Sequence, residues 1–281
     1  MKIGVVGYGT VGGAVARLLG SNQSNQIAIY DKFLAPHDRP EGKQAVNACD
    51  IVFLCVPTPA AADGSCDLSA VEESAAWITA PLCIRSTVVP GTVDRLSAAS
   101  GRLIAFSPEY LGETPGHPWT DDAACGFVIV GGEKRVAELV TAAYRTAAGP
   151  EVRFYYTDAK TAELCKYMEN CFLATKVAFV NQFYDIAQTL GVRFEELREV
   201  WLTDPRIGPS HTQVTRERGF RGRCLPKDIS AMVAAMKALG GAPLLEHVLA
   251  YNLALCARGD GDGEGKAGLA DAHGVAEQCR R

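Results

Sequence analysis

A short apolar run, Ile3-Gly4-Val5-Val6, leads directly into Gly7-Tyr8-Gly9-Thr10-Val11-Gly12, and Val11, Val15, Leu18 and Leu19 then recur at helical spacing. The run is typical of a parallel strand buried on both faces. A glycine triplet alone says little, but one that leaves a strand and opens a helix prescribes a tight strand-turn-helix unit. Gly7 permits the turn, Gly9 lets backbone approach a pyrophosphate, and Gly12 lets the helix pack closely on the strand. A second predicted strand, Gln26–Tyr30, ends at Asp31, 19 residues beyond Gly12. That spacing suits a carboxylate that accepts hydrogen bonds from ribose hydroxyls and repels a 2′-phosphate, so NAD is expected over NADP. Lys32 is adjacent and softens that preference. FAD sites use the same fingerprint and remain an alternative.

Further strands are expected at Ile51–Val56, Leu82–Ser86, Leu103–Phe106, Phe127–Val130 and Val152–Tyr155, with helices over Leu68–Thr79 and Glu133–Ala147. Strands alternating with helices predict a parallel, doubly wound sheet, hence a Rossmann-like α/β domain over residues 1–157. The pattern changes at Thr157, a good N-cap. Asp158–Leu190 contains neither proline nor glycine before Gly191, which predicts a helix about 50 Å long. Phe194–Arg258 reads as helical, broken by the loop Asp204–Arg223. The expected division is therefore a dinucleotide-binding domain, 1–157, and a long-helix, all-α second domain, 158–258. The Gly/Asp-rich stretch 259–281 is expected to be a flexible tail.

The 281 residues carry a net charge of −4. With no basic block, neither nucleic acid nor an anionic membrane is an expected partner. The ten cysteines include no Cys-x-x-Cys pair, so no metal site is expected. Several fall in predicted core segments, such as Cys55, where a thiol acts as a small hydrophobe. No signal-peptide pattern and no membrane-length apolar run is seen, and a reducing cytoplasm is the expected setting.

Cys224 precedes Leu225-Pro226-Lys227-Asp228, and Met232, Ala235, Met236 and Leu239 follow at helical spacing. Pro226 suits the first turn of a helix. Cys224 is thus expected at a helix N-terminus, where orphan N–H groups and the helix dipole favour a thiolate, with Asp228 one turn further in. That fits a nucleophile; a buried structural cysteine is the alternative. Lys166 and Asn170 lie one turn apart on the long helix, with Glu163 near the same face, and suit the holding of a substrate oxygen and a water. Thr87 and Glu109 follow predicted strands, at the carboxyl ends where a doubly wound sheet forms its crevice, placed to meet the nicotinamide. Arg206 sits in the loop Asp204–Gly208, suited to an anion or hydroxyl.

These segments together resemble the UDP-glucose/GDP-mannose dehydrogenase family. The resemblance rests on Gly7–Gly12, Val56-Pro57-Thr58-Pro59, Asp63–Ser69, Ser86–Thr92, Ser107–Glu113, Glu163–Lys176, Asp204–Gly208 and Gly219–Asp228, in family order over residues 1–255. It implies oxidation of a primary alcohol to a carboxylate with two NAD. A first hydride transfer gives an aldehyde, Cys224 captures it as a thiohemiacetal, and a second transfer leaves a thioester that water hydrolyses. By match to the family, Lys166 would stabilise the oxyanion and Asn170 hold the substrate oxygen. Asp228 and Thr87 would position the water and adjacent groups, and Glu109 would be the base for hydrolysis. Gly7, Gly9, Thr10, Val11, Gly12, Asp31, Lys32, Val56, Pro57, Thr58, Thr87 and Glu113 would line the cofactor. Glu109, Tyr110, Leu111, Lys166, Asn170, Arg206, Phe220, Arg221 and Gly222 would line the substrate, with Arg206 reaching the sugar of a neighbouring subunit.

The pattern departs from the family in places. Residue 221 is arginine where the family has glycine, and Arg223 adds a second charge beside Cys224. The stretch between Asp31 and Ile51 is short. The family's third, nucleotide-gripping domain is expected to be missing. Two alternatives follow: a two-electron enzyme resembling the 3-hydroxyacid dehydrogenases, which leaves Cys224 and Asp228 unexplained, or a non-catalytic NAD-binding partner subunit. The apolar residues Phe172, Val177, Phe179, Val180 and Phe183 on the long helix, together with the resemblance, predict a homodimer.

Overall fold

The computed structural model describes residues 1–112, 119 and 125–259. Contacts group the chain into two units, Met1–Ala174 with Gly222–Glu246, and Thr175–Arg221 with His247–Arg281.

The first unit is built on seven strands: β1 (Lys2–Val6), β2 (Gln26–Tyr30), β3 (Ile51–Leu54), β4 (Leu82–Ile84), β5 (Ile104–Phe106), β6 (Phe127–Gly132) and β7 (Arg153–Thr157). Their order across the sheet is β2-β1-β3-β4-β5-β6-β7. Alternation sends successive side chains to opposite faces. Val52 and Leu54 join one cluster with Val6, Leu82, Ile84 and Phe106. Ile51 and Phe53 join the other with Ile3, Val5, Cys83 and Ala105. The first face is covered by Val46 of α2 (Pro40–Asn47), Val71 and Ala75 of α3 (Ser69–Trp77), Val93 of α4 (Thr92–Ser100) and Ala159 and Ala162 of α6 (Ala159–Leu190). The second is covered by Val15 and Leu19 of α1 (Thr10–Gly20) and by Val136, Val140 and Tyr144 of α5 (Lys134–Ala148). Burial on both faces explains why the strands read as unbroken apolar runs. Each fully buried Leu, Ile or Phe contributes about 1.5–3 kcal/mol.

The sheet is not wholly parallel. β6 runs antiparallel to β5, pairing Ala105 with Gly132 and Phe106 with Gly131, and β7 runs parallel to β6. The sheet is otherwise parallel, as expected; an apolar run reports a buried strand but not its direction, so this one antiparallel pair was not legible in the sequence. Two short helices, α2 and α4, were also unforeseen. Each is short, carries few large apolar residues and buries one or two side chains, Val46 in α2 and Thr92 and Val93 in α4. Cys55 follows β3 rather than lying in it, and is only partly buried.

The chain leaves β1 for β2 on one side and reaches β3 on the other. The carboxyl end of β1 is therefore the point where the winding reverses, and a crevice opens there in folds of this kind. Returning segments add α8 (Leu225–Met236), a 3-10 turn at Lys237–Leu239 and the start of α9 (Pro243–Gly259) to the first unit.

The second unit is helical. It contains the later part of α6, α7 (Phe194–Trp201) and most of α9. Val180, Ala187 and Phe194 form its core against Tyr184, Trp201 and Val214. Arg218 donates to Asn181 Oδ1 at 2.8 Å and pairs with Asp185 at 2.6 Å. Val177 and Val180 are buried here, whereas Phe179 and Phe183 are exposed, so the apolar residues of the long helix divide between core and surface. Among the described residues no helix is long and apolar enough to cross a membrane, and no cluster of side chains suits a metal ion.

Candidate active site

At the switch point the three glycines do different things. Gly7 has φ +85°, and a Cβ there would lie 2.8 Å from the Cys55 carbonyl. A Cβ at Gly12 would fall 1.9 Å from Gly7 O, so α1 can press onto the turn only without one. Gly9, by contrast, faces open space, with nothing within 4 Å of a built Cβ. It is the N-cap of α1, and as a glycine it has no side chain to cap the amides that follow, from Thr10 and Val11 onward. N–H groups that the N-cap residue leaves uncapped, at the positive end of an 11-residue helix and beside open space, form a cradle for an anion.

Asp31 lies across from this turn. Its Oδ2 accepts the Tyr8 N–H at 2.7 Å and its Oδ1 the Phe33 N–H at 2.9 Å. The carboxylate is thus held in place with lone pairs to spare. A cleft of about 300 Å³ lies alongside, lined by Asp31, Lys32, Val56, Pro57, Glu73 and Trp77 among others. Lys43 stands 5.3 Å from the Tyr30 ring and 4.9 Å from that of Trp77. The cradle, the fixed carboxylate and the cleft fit a dinucleotide. Lys43, Glu73 and Trp77 escaped the sequence reading because no motif marks them. The loops after β3 and β4 are cross-tied: Ser86 Oγ donates to Val56 O at 2.6 Å and Thr58 Oγ1 to Thr87 O at 2.9 Å.

The first half of α6 presents Glu163, Lys166, Tyr167 and Asn170 as a buried stripe. Lys166 Nζ lies 3.5 Å from Glu109 Oε1 and 4.9 Å from the Tyr110 ring. Glu109 is itself fixed by the Leu111 N–H at 2.8 Å. Burial pushes the Tyr110 phenol well above its ordinary range. One turn on, Asn170 Nδ2 donates to Asp228 Oδ2 at 2.5 Å, and Lys227 pairs with the other oxygen of Asp228. Asp228 belongs to the first turn of α8, and its N–H donates to Cys224 O at 2.9 Å. Cys224 is the N-cap of α8, with Pro226 just inside the helix, and its side chain makes no cap hydrogen bond. Lys166 with Glu109 and Tyr110, and Asn170 with Asp228, therefore form two contact groups that α6 spaces by one turn.

Other members of the stripe do different work. Glu163, fully buried, accepts the Gly91 N–H at 2.6 Å and the Val93 N–H at 2.9 Å, tying α6 to the turn that opens α4. Burial pushes its carboxyl up to about 7. Burial also raises the Tyr167 phenol, and raises the Cys171 thiol to about 12. Cys66 donates to Thr87 O at 3.8 Å, and burial raises its thiol despite the opposing charge of Lys227.

The remaining expected site residues divide between the units. Gly222 is exposed in the first. In the second, Phe220 exchanges backbone hydrogen bonds with the Asn252 side chain at 2.7 and 3.0 Å. Arg221 donates to Glu217 O and Cys256 O at 3.0 and 3.1 Å. Arg206 is exposed and paired with Asp204 at 2.5 Å. Glu113 and residues 260–281 lie outside the described residues.

Comparison with known proteins adds the decisive observation. Residues 38–148 match the NAD binding domain of the UDP-glucose/GDP-mannose dehydrogenase family, and residues 160–254 match its central domain. The chain belongs to the UDP-glucose/GDP-mannose dehydrogenase family. It is 33% identical over 221 residues to UDP-glucose 6-dehydrogenase AglM of Haloferax volcanii, covering 70% of this chain and 50% of that protein. The structure of a UDP-glucose dehydrogenase from Pyrobaculum islandicum superposes with a TM-score of 0.76 at 26% identity, covering 90% of this chain and 68% of that one. A UDP-D-ManNAc dehydrogenase from Pyrococcus horikoshii follows with a TM-score of 0.73 at 25% identity, covering 93% and 70%. This family member spans about half the length of the dehydrogenases it matches in sequence.

Proposed function

We propose that this protein catalyses the NAD-dependent, four-electron oxidation of a primary alcohol on a nucleotide sugar such as UDP-glucose to the carboxylate. The observation that carries the reading is the position of Cys224 at the N-terminus of α8, one turn before an Asp228 that Asn170 holds. Family membership supports it independently.

NAD, when bound, supplies the oxidising chemistry of both stages. Lys166 and the second N–H of Asn170 hold the substrate oxygen and stabilise the charge that develops on it. Cys224 Sγ adds to the aldehyde carbon, so that the second oxidation leaves a thioester rather than demanding a free hydrate. The positive end of the α8 dipole favours the thiolate. Glu109 takes the proton of the attacking water. Asp228 and Thr87 position that water and its neighbours, and the carbon–sulfur bond breaks to release the carboxylate.

The same reading assigns the dinucleotide-binding domain to residues 1–157 and the central domain to 158–258. It includes a homodimer formed through α6, supported by the exposure of Met168 and Phe172 in the first unit and of Phe179 and Phe183 in the second. The setting it assumes is the cytoplasm.

The test is the yield of NADH per UDP-glucose consumed, with excess NAD. Two NADH and UDP-glucuronate are expected. One NADH would favour two-electron chemistry of the 3-hydroxyacid type, and no turnover would leave a cofactor-binding role. Cys224→Ser is expected to lose the second oxidation while retaining NAD binding.

A further inference from the structure

Lys32 directly follows Asp31, the carboxylate placed to meet the adenosine ribose. A lysine at that position is a ready partner for a 2′-phosphate, and by itself would open the site to NADP. Its ammonium is engaged elsewhere. Nζ donates to both carboxylate oxygens of Glu73, on α3, at 2.8 and 3.0 Å. The mutual pairing raises the Lys32 ammonium pKa and lowers the Glu73 carboxyl pKa. Both side chains line the cleft beside Asp31, together with Lys43 and Asp67.

We propose that Glu73 is a specificity-determining residue that holds the cleft selective for NAD by occupying Lys32. The inference rests on the reading of this cleft as the NAD site and extends it to a residue outside the glycine fingerprint. Two physical effects act together. Glu73 draws the Lys32 ammonium toward α3. It also makes the charged lining three carboxylates (Asp31, Asp67, Glu73) against two ammonium groups (Lys32, Lys43). A 2′-phosphate, with a charge of about −1.5 to −2, would meet a net negative lining. Without Glu73 that lining is neutral and Lys32 is released toward the ribose. The pair contributes little to folding, because both side chains are more than half exposed and exposed pairs are weak. Its consequence is for ligand choice.

The test is direct titration of NAD and NADP into the purified full chain, as wild type, Glu73→Gln, Glu73→Asp and the double variant Lys32→Ala/Glu73→Gln. Binding is followed by calorimetry at two salt concentrations. Wild type is expected to prefer NAD. Glu73→Gln is expected to tighten NADP about tenfold relative to NAD, the order expected for one added unit of charge near a phosphate in a solvated site. The gain should shrink at high salt. Glu73→Asp keeps the charge and should keep the preference, and the double variant should lose the gain. A Glu73→Gln ratio within about twofold of wild type overturns the proposal, as does a gain that survives Lys32→Ala. Wild type that binds neither dinucleotide overturns the NAD reading itself, and the proposal with it.

Discussion

Asn170 and Asp228 are 58 positions apart, yet the amide of one donates to the carboxylate of the other at 2.5 Å, with both side chains buried. The bond pins the start of α8, and so Cys224, against the stripe of α6 that carries Lys166. Asp228→Ala would leave the Asn170 amide and the Lys227 ammonium without this partner. The expected cost is about 1–3 kcal/mol, read as a lowered melting temperature. Asn170→Asp would face Asp228 with a like charge, and should cost at least as much at neutral pH.

Lys166 tests the chemistry rather than the fold. Lys166→Met keeps an apolar stem against Tyr110 and removes the charge. The expected result is a fall in kcat of about 10²–10³-fold, with a much smaller change in KM, as for the loss of an oxyanion donor. An unchanged kcat in steady-state assays would remove Lys166 from the reaction.

Glu163 provides a signature in pH. Burial raises its folded pKa to about 7, above the ordinary carboxyl value of 4.5. The folded state therefore holds a proton that the unfolded chain has released between those values. Stability from this group is greatest below about pH 4.5, falls as pH rises through 7, and is level above that. Glu163→Gln should flatten denaturant-derived stability between pH 5 and 7.5, removing a slope worth on the order of 2–3 kcal/mol. A slope unchanged in the variant would place the titration elsewhere.

The three glycines should part company under mutation. Gly12→Ala puts a methyl group 1.9 Å from Gly7 O and should cost at least the ~1–3 kcal/mol of core overpacking. Gly9→Ala meets nothing within 4 Å. It should melt within a degree or two of wild type and yet weaken NAD at least tenfold, by filling the space that backbone and pyrophosphate share. Parallel melting and NAD titration of the two variants decides this.

The sequence by itself determined the strands of the sheet, the long helix and the cofactor turn. Each of these depends on residues near one another in the chain: unbroken apolar runs, a stretch free of proline and glycine, and glycines where a Cβ cannot fit. It also put Cys224 at the mouth of a helix, because Pro226 and the apolar spacing after it are local signals. Tertiary structure alone decided the rest. The reversed direction of β6 depends on which edge its backbone finds, and α2 and α4 gain their burial only by packing on the sheet. The pairing of Lys166 with Glu109, of Asn170 with Asp228, of Glu163 with the turn before α4, and of Lys32 with Glu73 joins residues 41 to 72 positions apart. A hydrogen bond or ion pair acts over a few ångströms of space and leaves no periodic trace in sequence. The residue types of the site were legible early, while their partners became visible only once the chain had folded.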